Sequence, residues 1–274
     1  MVLNLNIKRL IGILILGIAF LLLFSLFPKK DYTNYKTIEV NYMKYNFYQK
    51  DKEERYKKYQ ETHSDLSDLD IITRVNLNLD LPFYSKTYPA PNQNTDLVFV
   101  NKYHYLDASY VPKNLKNVEV CTSGNRQLVE PAKEAFESLC ASIKKGGLNI
   151  RLISSYRSYS YQETHYNSYV EKDGHNKADT YSARPGFSEH QTGLVIDIDN
   201  EILPYERFEE TEEFKWMEEN AHKFGFILRY PKDKEEITGY SYESWHYRYV
   251  GREIASYLKE NNLTLDEYIA RNSN

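Results

Sequence analysis

The sequence predicts an α+β protein in which an antiparallel sheet with flanking helices is preceded by an N-terminal transmembrane helix. Strand-like and helical segments mix without the regular βαβ repeat that is typical of a parallel sheet. No internal repeat is evident along the chain. An uncharged run near the N-terminus predicts the membrane segment.

Composition excludes several classes of protein. The 274 residues carry 35 Lys+Arg and 39 Asp+Glu, a formal net charge of −4. Nucleic-acid binding needs a clustered basic surface, so this balance argues against a nucleic-acid partner. Cys121 and Cys140 are the two cysteines. They exclude a disulfide-dense scaffold and a four-cysteine metal site, and they leave one disulfide open.

Residues 10–27 (LIGILILGIAFLLLFSLF) contain no charged residue. At about 1.5 Å per residue, this run spans roughly 27 Å as a helix, enough for the hydrocarbon core of a bilayer. Bulky Leu26, Phe27 and Pro28 end the run, where a cleaved signal peptide would have small residues. The run therefore predicts an uncleaved signal anchor after a short N-terminus at 1–9. Two basic residues flank each end, so charge does not fix its orientation.

Residues 28–95 are predicted to form a tyrosine-rich spacer that is partly structured. The charged segment 49–63 is compatible with a solvated helix. By contrast, IITRVNLNL (71–79) has a strand-like pattern. The Pro/Asn-rich stretch 89–95 predicts a loop and a domain boundary.

The segment 96–260 is predicted to be the main domain. Glu130–Lys145 has the clearest helical pattern, because Pro131 suits a first turn and Gly146-Gly147 ends the apolar periodicity. Strands are further predicted at 97–100, 149–158, 193–198 and 237–251, and helices at 161–169, 211–223 and 252–260. Residues 261–274 are predicted to form a C-terminal tail.

Two short segments offer the ligands of a catalytic metal. His190 and Asp197 lie at the ends of a turn-and-strand stretch, and His246 follows in ESWH. Two imidazoles and one carboxylate leave a fourth position open, as catalytic zinc requires. Zinc lowers the pKa of a bound water toward about 7. Glu243, three residues before His246, is the natural carboxylate to accept that water's proton.

A third segment, SSYRSYSYQ (154–162), places Arg157 at a predicted strand end, where a guanidinium can stabilise charge on a carbonyl or hold a carboxylate. Alternatives exist on the same strands. Asp199 could replace Asp197 as a ligand, and Ser154 or Ser155 could suggest a nucleophile, although neither serine has a nucleophile-elbow context. The remaining histidines are interpreted as structural: His63, His104, His165, His175 and His222.

Together these segments resemble the zinc D-Ala-D-Ala carboxypeptidases of the VanY type and their LD-carboxypeptidase relatives. The resemblance covers about residues 96 to 257. The matching segments are LVFVNKYHYL (97–106), SSYRSYSYQ (154–162), ARPGFSEHQTGLVIDI (183–198) and ESWHYRYVG (243–251).

The resemblance implies that His190, Asp197 and His246 bind one zinc ion. It also implies that Glu243 is the general base and that Arg157 polarises the scissile carbonyl.

It further implies that Ser188 contacts the terminal carboxylate of the substrate and that Gln162 makes another substrate contact. The implied substrates are peptidoglycan stem peptides, from which a C-terminal D-Ala is removed. Such stems lie outside the cytoplasmic membrane, so we expect a single-pass protein of the cell membrane. Residues 1–9 would then be cytoplasmic, and the zinc carboxypeptidase domain at 96–260 extracytoplasmic.

The residues leave two alternative functions open: a peptidoglycan endopeptidase and a non-catalytic zinc-binding cell-wall module. Metal retention alone would need neither Glu243 nor Arg157, which favours an enzyme. Whether the substrate is a pentapeptide or a tetrapeptide stem does not follow from the sequence, nor do the oligomeric state and the role of the spacer.

Overall fold

The computed structural model describes residues 46–272, and the chain from Phe47 onward forms one compact unit. The helices are α1 (Glu53–Thr62), α2 (Asp68–Asn76), α3 (Glu130–Lys145), α4 (Tyr159–Asp173), α5 (His175–Tyr181), α6 (Glu212–Asn220), α7 (Glu235–Thr238), α8 (Arg252–Asn261) and α9 (Leu265–Asn272). The strands are β1 (Tyr88–Pro89), β2 (His104–Tyr105), β3 (Leu115–Asn117), β4 (Gln127–Val129), β5 (Arg151–Ser154), β6 (Val195–Asp199), β7 (Phe226–Leu228) and β8 (His246–Tyr249). Short 3-10 turns lie at Lys50–Lys52, Glu189–Thr192, Tyr205–Glu210 and Ala221–Phe224.

The central feature is a four-stranded sheet in the order β5-β6-β8-β7, with every neighbouring pair antiparallel. This confirms the predicted antiparallel sheet with flanking helices. Strand β6 (VIDID) is buried along its whole length. Side chains alternate between the faces of a strand, so Ile196 and Ile198 enter the hydrophobic core while Asp197 lies on the other face.

Helix α3 covers the core face of the sheet. Its bounds match the predicted Glu130–Lys145, with Pro131 in the first turn. Phe136, Leu139 and Ile143 recur at helical spacing, are fully buried and belong to the same core cluster as the sheet. The other face of the sheet remains available for polar side chains.

A disulfide joins Cys121 to Cys140 and closes a loop with a sequence separation of 19. It ties the segment before β4 to the middle of α3, with the two Cα atoms 6.3 Å apart. The sequence left this pairing open, because separation along the chain says nothing about distance.

Some predicted strands are not strands. The segment 97–100 is buried but has no strand pairing, and of 237–251 only His246–Tyr249 is a strand. The stretch 71–79 lies mostly in α2, which Ser67 caps by accepting the backbone N–H of Asp70. In that stretch Ile71, Ile72 and Val75 also fit a helical spacing, and they pack in a small separate core with Phe47 and Tyr56.

The predicted division of the chain at residue 95 does not match a boundary between compact units, because residues 47–95 belong to the same unit as the sheet. The predicted tail is also structured. Helix α9 buries Leu265 completely, and Arg271 donates from Nε to Thr73 Oγ1 of α2 at 3.1 Å. The described ends of the compact unit therefore pack against each other.

Within residues 46–272, no helix combines the length and the apolar character that crossing a bilayer requires. The predicted anchor at 10–27 lies outside the described residues.

Candidate active site

Strand pairing brings two of the predicted ligands together. In the β6–β8 register Asp197 is directly opposite His246, and side chains opposite each other in an antiparallel pair lie on the same face. Asp197 Oδ1 is 3.1 Å from His246 Nδ1. Two residues that are 49 positions apart along the chain thus share one site because of the sheet.

His190 reaches the same point from the 3-10 turn that precedes β6. The turn ends at Gly193, whose φ of +69° is left-handed, and a Cβ there would lie 2.9 Å from the Leu115 side chain. His190 Nδ1 lies 2.6 Å from the carbonyl oxygen of Ser155, and Nε2 lies 3.2 Å from Asp197 Oδ2. If Nδ1–H donates to that carbonyl, Nε2 keeps its lone pair for a metal.

These three residues fit a zinc ion. One potential ligand atom from each lies within 4.8 Å of the others, and all three side chains are buried. In the part of the chain that the structure describes, this is the one group of three or more His, Cys, Asp or Glu side chains so arranged. Asp197 Oδ1 is buried without a hydrogen-bond partner, which a metal would supply. Two imidazole nitrogens and a carboxylate oxygen are donors that zinc prefers.

The site's electrostatics favour the ligand forms of two of the three residues. Burial, aided by the Arg157 guanidinium, lowers the pKa of His190 to about 4. Burial opposes ionisation of Asp197, but His190 and His246 outweigh it and hold the pKa of Asp197 well below its usual value. Burial also opposes protonation of His246, yet the neighbouring carboxylates of Asp197 and Glu189 outweigh it and raise the pKa of His246 to about 9. Metal binding at Nδ1 of His246 must therefore displace a proton.

Glu243 is positioned as a base beside this cluster. It lies just before β8, and its Oε2 is 3.4 Å from His246 Nδ1. Burial of the carboxyl raises its pKa from 4.5 to about 7. A carboxylate that titrates near neutrality can both accept and return a proton there.

Arg157 follows β5 and contacts the cluster directly. Its Nη2 donates to Asp197 Oδ2 at 2.9 Å, and its Nε donates to Ser154 Oγ at 2.9 Å. The sequence predicted a contact with substrate. The structure adds that the same guanidinium pairs with Asp197, the predicted ligand, so Arg157 is held beside the candidate metal cluster.

Ser188 and Gln162 line the same pocket, which has a volume of about 790 Å³. Gln162 is buried, and its Nε2 donates to the carbonyl oxygen of Ala183 at 2.8 Å. Its Oε1 is buried with no hydrogen-bond partner. Ser188 is also buried at the pocket wall. All seven predicted site residues therefore lie around one cavity.

Of the alternative residues, Ser154 and Ser155 line the same pocket, whereas Asp199 is not part of the metal cluster. Asp199 accepts hydrogen bonds from Arg151 Nε and Nη2 at 3.0 and 2.6 Å, so its carboxylate is committed to an ion pair at the sheet edge. Among the other five histidines, His165 alone is in the wall of this pocket, and none of the five belongs to the metal cluster.

Sequence reasoning missed one residue, Glu189, which is next to the ligand His190 and is almost completely buried. Its Oε1 accepts from Arg229 and from Arg248, both at 2.9 Å. The signal in the sequence was weak: an acidic residue between two predicted site residues, where every neighbour is polar.

Comparison with known proteins matches residues 125–252 to the family model described as VanY: D-alanyl-D-alanine carboxypeptidase. The YodJ protein of Bacillus subtilis (strain 168) is 39% identical over 188 residues, which cover 66% of this chain and 69% of YodJ.

Two solved structures are also similar. The LdcB LD-carboxypeptidase has a TM-score of 0.64 and 38% identity, covering 68% of this chain and 90% of LdcB. A variant of the D,D-pentapeptidase VanY from a VanB-type resistance cassette, in complex with Zn(II), has a TM-score of 0.55 and 33% identity over 64% of this chain and 98% of that one. The sequence match and the shared fold together show that the chain belongs to the VanY family of D-alanyl-D-alanine carboxypeptidases.

Proposed function

We propose that this protein is a zinc-dependent carboxypeptidase that removes a C-terminal D-Ala from peptidoglycan stem peptides. The observation that carries the proposal is the placement of Glu243 and Arg157 against the cluster of His190, Asp197 and His246. Similarity to a VanY structure with Zn(II) and to an LD-carboxypeptidase supports both the metal and the substrate class. A module that only bound zinc would not need the buried base or the guanidinium.

Zinc bound to the three ligands would polarise the scissile carbonyl and lower the pKa of a water molecule. Glu243 accepts a proton from the attacking water and then returns it to the leaving amine nitrogen. Its pKa of about 7 suits both transfers. Arg157 donates to the carbonyl oxygen, on which negative charge develops as the bond to the water oxygen forms.

The free carboxylate of the substrate also needs donors. Ser188 Oγ can donate from the pocket wall, and Gln162 Nε2, which uses one N–H on the Ala183 carbonyl, has a second N–H to offer. Arg157 adds charge-assisted hydrogen bonds if its remaining N–H groups reach the carboxylate. This arrangement favours cleavage at a chain end over cleavage within a stem.

We also propose that residues 10–27 anchor the enzyme in the cytoplasmic membrane with the catalytic unit outside. The support for this is the uncharged run of the sequence and the location of the proposed substrate.

The test compares purified pentapeptide and tetrapeptide muropeptides, each as the free acid and as the C-terminal amide, with products identified by mass. Amidation leaves the scissile bond intact but removes the terminal charge. We expect kcat/KM to fall about 10-fold or more on the amide, since losing even about 1.4 kcal/mol of recognition has that effect.

The comparison of the two acids shows which stem is the substrate. Equal cleavage of acid and amide by a zinc-loaded sample would instead indicate an endopeptidase. No cleavage of any stem, with zinc bound, would indicate a binding module.

A further inference from the structure

A buried network of charged side chains lies next to His246 of the metal cluster. Its centre is the Glu189 carboxylate, of which the side chain is 1% exposed. Arg229 and Arg248 each donate to its Oε1. Arg229 also pairs with Asp266 of helix α9. Two guanidinium groups and two carboxylates balance in charge, as burial of ionised groups requires.

Two atoms of this region face each other without hydrogen-bond partners. Glu189 Oε2 and His246 Nε2 are both buried and both unpartnered. They lie 3.8 Å apart. Both arginines bind Oε1, so Oε2 is the oxygen that remains toward the imidazole.

The tautomer of His246 that a metal requires gives a reason for Glu189 Oε2 and His246 Nε2 to interact. Nδ1 of His246 lies beside Asp197 and Glu243, so it is the nitrogen that faces the metal cluster. When Nδ1 bears a metal, the neutral ring carries its proton on Nε2. A buried N–H without an acceptor is costly, and Glu189 Oε2 is a charged acceptor only 3.8 Å from Nε2. A movement of less than about 1 Å closes 3.8 Å to hydrogen-bond distance.

We propose that Glu189 is a positioning residue for the zinc ligand His246. Its carboxylate accepts the Nε2–H of His246 and fixes the ring so that Nδ1 points at the zinc, while Arg229 and Arg248 hold the carboxylate in place. This inference rests on the proposed zinc site.

The first test is Glu189→Gln, which keeps the shape of the side chain but removes its charge. We expect zinc affinity, measured by competition with a chromophoric chelator, to fall about 10- to 100-fold, the range typical of losing such a partner. Circular dichroism and thermal unfolding check that the variant folds. The control is Asp199→Asn, which makes the same change to another buried carboxylate paired with an arginine, two residues from Asp197. We expect the control to bind zinc within about 3-fold of the wild type.

The second test needs no variant. In wild-type protein labelled with 15N-histidine and loaded with zinc, we expect His246 to show a protonated Nε2 whose proton exchanges slowly with water. Zinc on Nε2, or an Nε2 proton that exchanges at the rate of an exposed imidazole, would overturn the proposal whether or not Glu189→Gln folds.

The outcomes separate this inference from the proposed function. Wild-type protein that binds no zinc refutes the zinc site itself. Wild-type protein that binds zinc tightly, together with a folded Glu189→Gln that binds it equally well, refutes only the role of Glu189.

Discussion

Replacing Glu243 by Gln should make the protein more stable as well as inactive. Burial raises the pKa of this carboxyl from 4.5 to about 7, and its side chain is 13% exposed. An acid whose pKa is higher in the folded state binds protons more tightly when folded. The free energy of unfolding therefore falls as the pH rises from about 4.5 to about 7 and stays reduced above that. The difference between the pKa of Glu243 in the folded and the unfolded state corresponds to about 3 kcal/mol of unfolding free energy.

A glutamine at position 243 has no charge to bury. We expect Glu243→Gln to exceed the wild type in unfolding free energy by up to about 3 kcal/mol at pH 8, and by little at pH 5. Chelator-treated samples should be compared by urea denaturation at both values. The matched control is Glu206→Gln, at an exposed carboxylate that lines the same pocket and should give no such pH-dependent gain.

The same variant tests the mechanism. An amide cannot accept the proton of the attacking water, so kcat for D-Ala release should fall about 10²- to 10⁴-fold while zinc content is unchanged. Wild-type turnover by Glu243→Gln would show that Glu243 is not the base. A stability difference equal at pH 5 and pH 8 would show that burial does not penalise its charge.

Three further predictions concern the metal, the disulfide and the last helix. In dialysed protein assayed for metal, His246→Ala should lose zinc and activity together, whereas His222→Ala, which lies outside the cluster, should keep both. Tight, stoichiometric zinc binding by His246→Ala would refute the ligand assignment. Replacing Cys121 and Cys140 by Ser should lower the unfolding free energy by about 3 kcal/mol, as expected for a disulfide loop of this length. A loss below about 1 kcal/mol in urea denaturation would contradict this prediction. Leu265→Ala should cost about 2–5 kcal/mol because the side chain is completely buried, and a tail that contributed nothing would leave the midpoint unchanged.

The sequence predicted helix α3 and the grouping of His190, Asp197 and His246, because both depend on short segments. Helix α3 has its apolar spacing, its Pro131 and its terminal glycines within 18 residues. The proposed ligands were identifiable because the resemblance covers the segments that carry them. That Asp197 and His246 are directly opposite in the sheet was not visible, since register is a property of paired strands.

Features that depend on distant partners could not be predicted. Glu189 is a polar residue in a polar stretch, and its arginines lie 40 and 59 residues away, one just after β7 and one in β8. Helix α2 was mistaken for a strand because a short apolar run with polar interruptions fits both periods. The last helix was taken for a tail because its buried face becomes evident only against the cluster that includes Leu77 and Phe99.

The late position of Asp266 in the chain affects when the protein can become stable during its synthesis. A growing chain exposes its N-terminal elements first, and the segments that carry the three proposed ligands are complete once residue 249 has emerged. At that stage Arg229 and Arg248 share the single carboxylate of Glu189, an excess of positive charge that is expensive to bury. The balancing carboxylate arrives 17 residues later, in the helix that also contacts α2. We therefore expect the interior around Glu189 to become fully stable only after residue 266 has been added, and a nascent chain stalled before that point to be less stable than the full chain.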